Sequence, residues 1–211
     1  MAIETVQPDQ IEKKSFAIIG QELEEAGIRL DERYAHIIKR CIHTTADFDY
    51  AKSLYFSPGA VERIEEAIER GALLITDTMM ARAGINKKYI ERQGGSVCCF
   101  IRDEDVAEEA HKTGFTRSAV SMKKAASLGR EAVFVIGNAP TALDMICRLH
   151  GEGKLNPVAV IGLPVGFVNV VEAKEELMAS GIPCIVNRGR KGGSNVASCI
   201  INAIQYKMYR P

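Results

Sequence analysis

Tryptophan is absent from this 211-residue chain, and aromatic residues make up only 6% of it. Proteins that bind single-stranded nucleic acid usually stack its bases on aromatic side chains. Basic and acidic residues are equal in number, 27 of each, so no overall charge attracts nucleic acid or an anionic membrane. We therefore expect no nucleic-acid partner, and any anion that binds must be held by local groups.

The chain also lacks a long apolar segment. No run approaches the roughly 20 residues that a membrane-spanning helix needs. The first ten residues contain no basic segment followed by an apolar core, so they do not form a secretory signal. We predict a cytoplasmic protein without a membrane partner.

Metal-ligand and disulfide patterns are missing as well. The six cysteines include no Cys-x-x-Cys pair, and no histidine stands at ligand spacing from any of them. This pattern predicts no metal site. We expect all six to be buried free thiols, because unpaired cysteines are commonly interior. Redox chemistry at the adjacent Cys98 and Cys99 is the alternative.

What the chain does contain is a series of short apolar runs separated by helical segments. Runs of this length without alternation are typical of strands buried on both faces of a parallel sheet. Strands that alternate with helices predict a doubly wound α/β sheet. The five runs are Ala72–Thr76, Val97–Ile101, Ala132–Ile136, Val158–Ile161 and Pro183–Val186. The helical segments after them are Asp105–Thr113, Arg117–Leu128, Thr141–His150, Val170–Ser180 and Val196–Tyr209.

Three further helices are predicted before the first strand. The first covers residues 11–27, with an apolar side that comprises Ile11, Phe16, Ile18, Ile19 and Leu23. Asp31 is the expected cap of the second, and Ser57 with Pro58 of the third. No linker or repeat interrupts the chain, so residues 1–211 are predicted to form a single α/β domain.

Ligands of an open parallel sheet bind beyond the carboxyl ends of its strands. Two glycine-containing loops follow predicted strands there, Gly137–Leu143 and Gly189–Ser194. Helix starts and glycine-rich backbone can bind anions through N–H groups, and Arg190 or Lys191 can add charge-assisted hydrogen bonds. Each loop could also be a simple turn. Thr116, Arg117 and Ser118 at a predicted helix start, and Ser15, are further candidates.

Nucleotide binding is the first function to consider for such a sheet, but its motifs are absent. Neither Gly-x-Gly-x-x-Gly nor Gly-x-x-x-x-Gly-Lys-Ser/Thr occurs, and there is no Gly-x-Ser-x-Gly nucleophile motif.

Of the four histidines, His43 has the most distinctive position. His111 and His150 stand near helix ends among charged neighbours and are expected to be solvated or capping. His36 is expected on the polar surface of the second helix. His43 lies opposite the apolar side of that helix, where the helix runs into Thr44-Thr45-Ala46-Asp47. It is either a surface cap or a proton donor, since a histidine near a helix C-terminus can carry a proton at neutral pH.

Several segments in collinear order resemble the precorrin-8 methylmutase family. They are Ser15–Ile19, Ile42–Asp47, Thr116–Ala119, Gly137–Leu143, Pro164–Val168 and Gly189–Ser194. The resemblance covers nearly the whole chain. Small departures at Met80 and at Asn169–Val171 concern local packing.

The resemblance implies an isomerase of corrin-ring (cobalamin) biosynthesis that moves a methyl group from C-11 to C-12 of precorrin-8 or cobalt-precorrin-8. It implies a three-layer α/β/α fold with a five-stranded, mostly parallel sheet, and a homodimer. His43 would be the catalytic acid of a 1,5-sigmatropic shift that needs no cofactor. The resemblance also implies that Ser15 contacts the corrinoid. The candidates from the strand ends, Thr116, Arg117, Ser118, Gly189 and Arg190, would then bind the carboxylate arms of that substrate.

Two other interpretations remain open. A non-catalytic corrinoid carrier is the main alternative, because the predicted site has more binding groups than acid–base groups. A nucleotide-binding α/β enzyme is the weaker one. Whether the substrate carries cobalt is not determined by the residues, although scattered cysteines in a reducing cytosol favour the cobalt-containing route slightly.

Overall fold

The computed structural model describes residues 7–209, and within them a six-stranded sheet lies between two layers of helices. The strands are β1 (Leu54–Phe56), β2 (Leu73–Thr76), β3 (Ser96–Cys98), β4 (Ala132–Ile136), β5 (Ala159–Gly162) and β6 (Cys184–Asn187). Their order is β1-β6-β5-β4-β2-β3. Strands β2 to β6 are parallel and β1 is antiparallel to β6. The mostly parallel α/β fold is therefore confirmed.

Eleven helices accompany the strands within the described range. They are α1 (Pro8–Glu25), α2 (Ala35–Thr45), α3 (Tyr50–Ser53), α4 (Ala60–Glu69), α5 (Met79–Gly84), α6 (Lys87–Arg92), α7 (Glu104–Thr113), α8 (Arg117–Ser127), α9 (Pro140–Gly151), α10 (Val170–Ala179) and α11 (Ser194–Tyr209). None of the helices between residues 7 and 209 is long and apolar enough to cross a membrane.

Each face of the sheet has its own core, because neighbouring residues of a strand point to opposite faces. Val133, Val135 and Ile161 pack with buried side chains of α2, α4 and α11. Phe134, Ile136 and Val160 pack with those of α8, α9 and α10. Two-sided burial explains why the strand sequences are continuously apolar.

The sixth strand was not predicted. β1 is only three residues long, and all three are half-buried. It pairs with β6 through Leu54–Asn187, Tyr55–Val186 and Phe56–Ile185. A segment this short has no periodicity of its own, so only its partner strand defines it.

Both predicted side-chain caps in the N-terminal region are wrong. α2 begins at Ala35, and Asp31 instead binds Arg33 with oxygen–nitrogen distances down to 2.6 Å. α4 follows Gly59, whose φ of +75° is left-handed. The Ser57 hydroxyl is used elsewhere, where it accepts a 2.7 Å hydrogen bond from the Cys184 N–H.

The apolar side of α1 is buried only in part. Ile19 and Leu23 are in the core, whereas Ile11 and Ile18 are 52% and 46% exposed.

The cysteine prediction also holds in part. All six are free; Cys41, Cys147, Cys184 and Cys199 are buried, but Cys98 and Cys99 are only half-buried.

His36 is not a surface residue as expected. It is half-buried, and its Nε2 atom is enclosed without a hydrogen-bond partner among the described residues. Burial, with a smaller effect from Lys207, lowers the pKa of His36 to about 4 from 6.5. The predictions for His111 and His150 are consistent with the structure. His111 is exposed, and Nδ1 of His150 contacts the Leu155 carbonyl oxygen at 3.1 Å.

This histidine should make the fold sensitive to mild acid. Because the folded protein holds His36 neutral, the unfolded chain binds more protons between pH 6.5 and 4, and stability falls as the pH falls through that window. We expect His36 to account for about 2 kcal/mol of that loss, allowing for its partial exposure. Urea unfolding at several pH values should show a flatter dependence for His36→Met. His111→Met is the control; identical pH profiles for wild type and His36→Met would contradict the prediction.

Candidate active site

His43 lies in the last turn of α2, on the side away from the core. The buried residues of this helix are Ile37, Ile38, Cys41 and Ile42, as the helical period predicts. The His43 side chain is exposed, and its ring centroid is 5.4 Å from that of Phe16 on α1. Its imidazole makes no hydrogen bond with any residue between 7 and 209. Both ring nitrogens are therefore available to a ligand.

The polar residues after His43 fix the end of α2 rather than the imidazole. The Thr44 hydroxyl donates to the Arg40 carbonyl oxygen at 2.9 Å, and the Thr45 hydroxyl to that of Cys41 at 2.8 Å. Ala46 ends the helix in a left-handed conformation with φ of +53°. This rigid turn determines where His43 stands.

The loop after β6 is connected to the same turn by Lys191. Its ammonium group contacts a carboxylate oxygen of Asp47 at 2.5 Å and one of Asp49 at 2.6 Å. A side-chain hydrogen bond from Lys191 lowers the pKa of Asp47, and the two carboxylates raise the pKa of Lys191. Lys191 is thus engaged within the protein, so Arg190 is the better candidate for a ligand anion.

Gly189 and Arg190 line an open cavity of about 560 Å³ beside α3, together with Asp49, Lys52, Ser53, Arg188 and Lys191. The Arg190 guanidinium lies 5.3 Å from the ring centroid of Phe167, in the loop after β5. Phe167 is 83% exposed. Both side chains therefore stand at the surface and can contact a ligand.

The loop after β4 does not act as predicted. The N–H groups of Gly137, Asn138 and Ala139 donate to the Asp77 carboxylate at 2.9, 2.8 and 2.7 Å. Asp77 directly follows β2 and is 1% exposed. Burial raises the pKa of Asp77, and the three N–H donors oppose that rise. The anion that we expected at this helix start is therefore a side chain of the protein itself.

Thr116, Arg117 and Ser118 stand at the start of α8. The Thr116 hydroxyl accepts from the Ala119 N–H at 3.2 Å and lies 2.7 Å from the hydroxyl of Thr141, in the first turn of α9. Because α9 follows β4 after a loop of three residues, this contact places Thr116 at the carboxyl edge of the sheet. Arg117 is exposed and has no ion pair among the described residues, whereas Ser118 is half-buried.

The predicted site residues are thus distributed over both helical layers. Ser15 is half-buried on α1, and its hydroxyl donates to the Ile11 carbonyl oxygen at 2.9 Å. Ser15 and His43 belong to the layer with α1 and α2, and Arg117 to the layer with α8. The loop Gly189–Gly193 meets the turn after α2. Within residues 7–209 no hydrogen bond or ring contact joins His43 to Arg117 or Arg190.

Three further polar residues at this edge were not predicted as site residues: Asp77, Lys174 and Asn187. All three are buried, as is Ser194 of the predicted loop. Lys174 was detectable, because it lies with Val170, Ala173 and Leu177 on the apolar side of α10. The position of Asp77 immediately after an apolar run was the other available signal.

A second large cavity, of about 640 Å³, lies at the opposite edge of the sheet. His150, Arg63, Arg130 and Lys154 are among its lining residues. None of the predicted site residues lines it.

Comparison with known proteins agrees with this architecture. The family model described as precorrin-8X methylmutase matches residues 10–207. The cobalt-precorrin-8 methylmutase of Priestia megaterium is 46% identical, over 95% of this chain and 88% of the relative. That of Salmonella typhimurium is 43% identical, over 96% of each. The crystal structure of precorrin-8x methyl mutase from Thermus thermophilus superimposes with a TM-score of 0.84 at 35% identity, covering 94% of this chain and 98% of the other.

The fold and these relatives define an α/β enzyme built on a mostly parallel sheet. With the family model and these relatives, the chain belongs to the precorrin-8X methylmutase family. It is an isomerase of cobalamin biosynthesis.

The bond between Asp77 and the β4 loop should be essential for folding stability. Asp77→Ala removes the acceptor of three N–H groups, two of which belong to the buried residues Gly137 and Ala139, so we expect a loss of about 3 kcal/mol in the free energy of unfolding. Asp105→Ala is the control, because Asp105 is exposed and pairs with Lys124 at the surface; it should cost less than about 1 kcal/mol. Chemical denaturation measures both. Equal effects would contradict the role given to Asp77.

Proposed function

We propose that this protein moves a methyl group from C-11 to C-12 of cobalt-precorrin-8 to give cobyrinate. The observation that carries the proposal is the state of His43. Its imidazole is exposed and makes no hydrogen bond to the described residues. It stands at the end of α2, and the Gly189–Gly193 loop contacts the turn that follows this helix. Family membership supports the reaction class. The names of the two bacterial relatives support a substrate that carries cobalt.

In this reaction His43 acts as a general acid. It donates a proton to the macrocycle, which lowers the energy of the rearranging π-system and so promotes the 1,5-sigmatropic shift. Substrate and product are isomers, so the donated proton is returned and no oxidant, reductant or nucleophile is consumed. A positioned acid of this kind contributes roughly 10²–10⁴-fold to the rate.

The remaining candidates bind the acidic arms of the substrate. Arg117 and Arg190 are exposed cations at the carboxyl edge of the sheet, and guanidinium groups suit carboxylates. Ser15, Thr116, Ser118 and Gly189 supply further hydrogen-bonding groups. Because these residues belong to both helical layers, they suit a ligand that is wide enough to extend across the sheet edge.

A corrinoid carrier without activity is the second candidate. It is favoured by the small number of acid–base groups at an edge that offers several cations and glycines. Stoichiometric protein mixed with cobalt-precorrin-8 separates the two functions by absorbance. A corrinoid spectrum that changes to that of cobyrinate supports the isomerase, and binding with an unchanged spectrum supports the carrier.

We also propose a homodimer. Phe167 and Val168 are adjacent and 83% and 75% exposed, and Val165 is 45% exposed. Side chains of this kind mark protein or ligand contacts when they cluster. Sedimentation velocity should give twice the chain mass, and Phe167→Ser should weaken the association. The control is Leu128→Ser, at an isolated residue that is 42% exposed. A monomeric wild-type protein would contradict the proposal.

Replacement of His43 tests the catalytic role. We expect His43→Ala to fold and to bind the corrinoid, but to lose roughly 10²–10⁴-fold in kcat because the proton donor is gone. His111→Ala, at an exposed position, should keep full activity. Turnover of cobalt-precorrin-8 followed by absorbance measures both, and near wild-type activity of His43→Ala would refute the assignment.

Arg117→Met is the contrasting variant in the same assay. It removes a charge that is proposed to bind substrate and not to transfer a proton. Its effect should therefore fall on KM, with kcat largely retained.

A further inference from the structure

Lys174 of α10 is a buried cation without an acidic partner. The residue is 0% exposed. Its ammonium group donates to the carbonyl oxygens of Gly189 at 2.8 Å and Lys191 at 2.7 Å, and no carboxylate pairs with it in the described chain. Burial alone lowers the pKa of Lys174, to about 8. A charge held inside a protein in this way normally has a counter-ion.

Asn187 orients the same loop from the other side. Its amide nitrogen donates to the carbonyl oxygens of Arg188 at 3.2 Å and Lys191 at 3.0 Å. Its amide oxygen accepts from the Ser53 hydroxyl. Three carbonyl groups of the loop, those of residues 188, 189 and 191, are therefore bonded to Lys174 or Asn187.

This arrangement determines where the N–H groups of the loop point. No peptide bond in the described chain is cis, and in a trans peptide the N–H points opposite to the preceding C=O. The N–H groups of Gly189, Arg190 and Gly192 are thus directed away from Lys174 and Asn187. None of them donates a hydrogen bond to residues 7–209. Glycine is required at 189, where φ is +79°.

Concave sets of free N–H groups bind anions. We propose that Lys174 is a positioning residue. It holds the loop carbonyl groups inward, so that the N–H groups of Gly189, Arg190 and Gly192 bind one carboxylate of the substrate. That carboxylate serves as the counter-ion of the Lys174 ammonium group. This inference rests on the proposed function for the identity of the ligand. It assigns a substrate-orienting role to a residue that does not touch the substrate.

The neighbouring charges do not replace this counter-ion. Arg188 faces Glu175 of α10 at 3.6 Å, and Lys191 is bound to Asp47 and Asp49. Glu172 and Glu176, also on α10, are exposed, and they line a separate cavity with Asp144 of α9.

A bound carboxylate favours the charged form of Lys174. Affinity for a carboxylate ligand should therefore fall as the pH rises above about 8.

The test uses two probes, cobyrinate and its fully methyl-esterified form, in which every carboxylate charge is removed. Calorimetry should show that the wild type prefers the acid, and that Lys174→Met, which keeps the length and apolar stem of the side chain, reduces that preference roughly tenfold. Affinity for the ester should change little. Lys112→Met is the control, because Lys112 is exposed on α7. In turnover, Lys174→Met should raise KM and retain kcat.

The pH dependence provides a second measurement that needs no variant. The Cε resonance of Lys174 in ¹³C-lysine-labelled protein should titrate near pH 8 and move to higher pH when cobyrinate is added. An ordinary lysine titration that ignores cobyrinate would overturn the inference, as would equal affinity of the wild type for acid and ester. So would a folded Lys174→Met that still prefers the acid as the wild type does.

The two proposals can fail separately. Acid-selective binding that depends on Lys174, without conversion of cobalt-precorrin-8, would reject the isomerase activity and support the positioning role. Conversion with an unchanged KM in Lys174→Met would support the activity and reject the positioning role.

Discussion

Two buried charges, each bonded to main chain, organise the carboxyl edge of this sheet. Asp77 accepts the N–H groups of the loop after β4, and Lys174 donates to carbonyl groups of the loop after β6. A buried charge must find partners, and the backbone supplies them. The consequences are opposite: the first loop loses its anion-binding groups, whereas the second keeps its N–H groups free. Which strand end can bind an anion is therefore decided by two side chains that lie outside both loops.

This difference between the loops after β4 and β6 also explains the position of the proposed site. β2 and β4 are neighbours in the sheet, although β3, on the far side of β2, comes between them in the sequence. The strand order therefore changes direction between β2 and β4. Ligands of open α/β sheets commonly bind at such a change of direction, and here Asp77 occupies it. The loop after β6, with its free N–H groups, lies instead beside the turn that follows α2, the helix that carries His43. In the proposed reaction the acid is an exposed histidine because the large macrocycle itself covers it.

The parallel core was predictable because strands buried on both faces read as continuous apolar runs. His43 was correctly placed opposite the apolar side of α2, since the helical period alone decides that. The short elements could not be predicted. β1 depends on pairing with β6, and Ser57 bonds to Cys184, 127 residues later in the chain. Residues that act through such distant partners carry no local signal.

For this protein the sequence alone determined the fold class, the helical face that carries His43 and the loops that contain glycine and cations. Composition and periodicity are local properties, so they can be read without coordinates. Only the tertiary structure decided which loop retains free N–H groups, that Lys191 is already paired, and that His36 is enclosed. Each of these depends on a partner from another element, because hydrogen bonds and burial are formed between segments that the fold alone brings together.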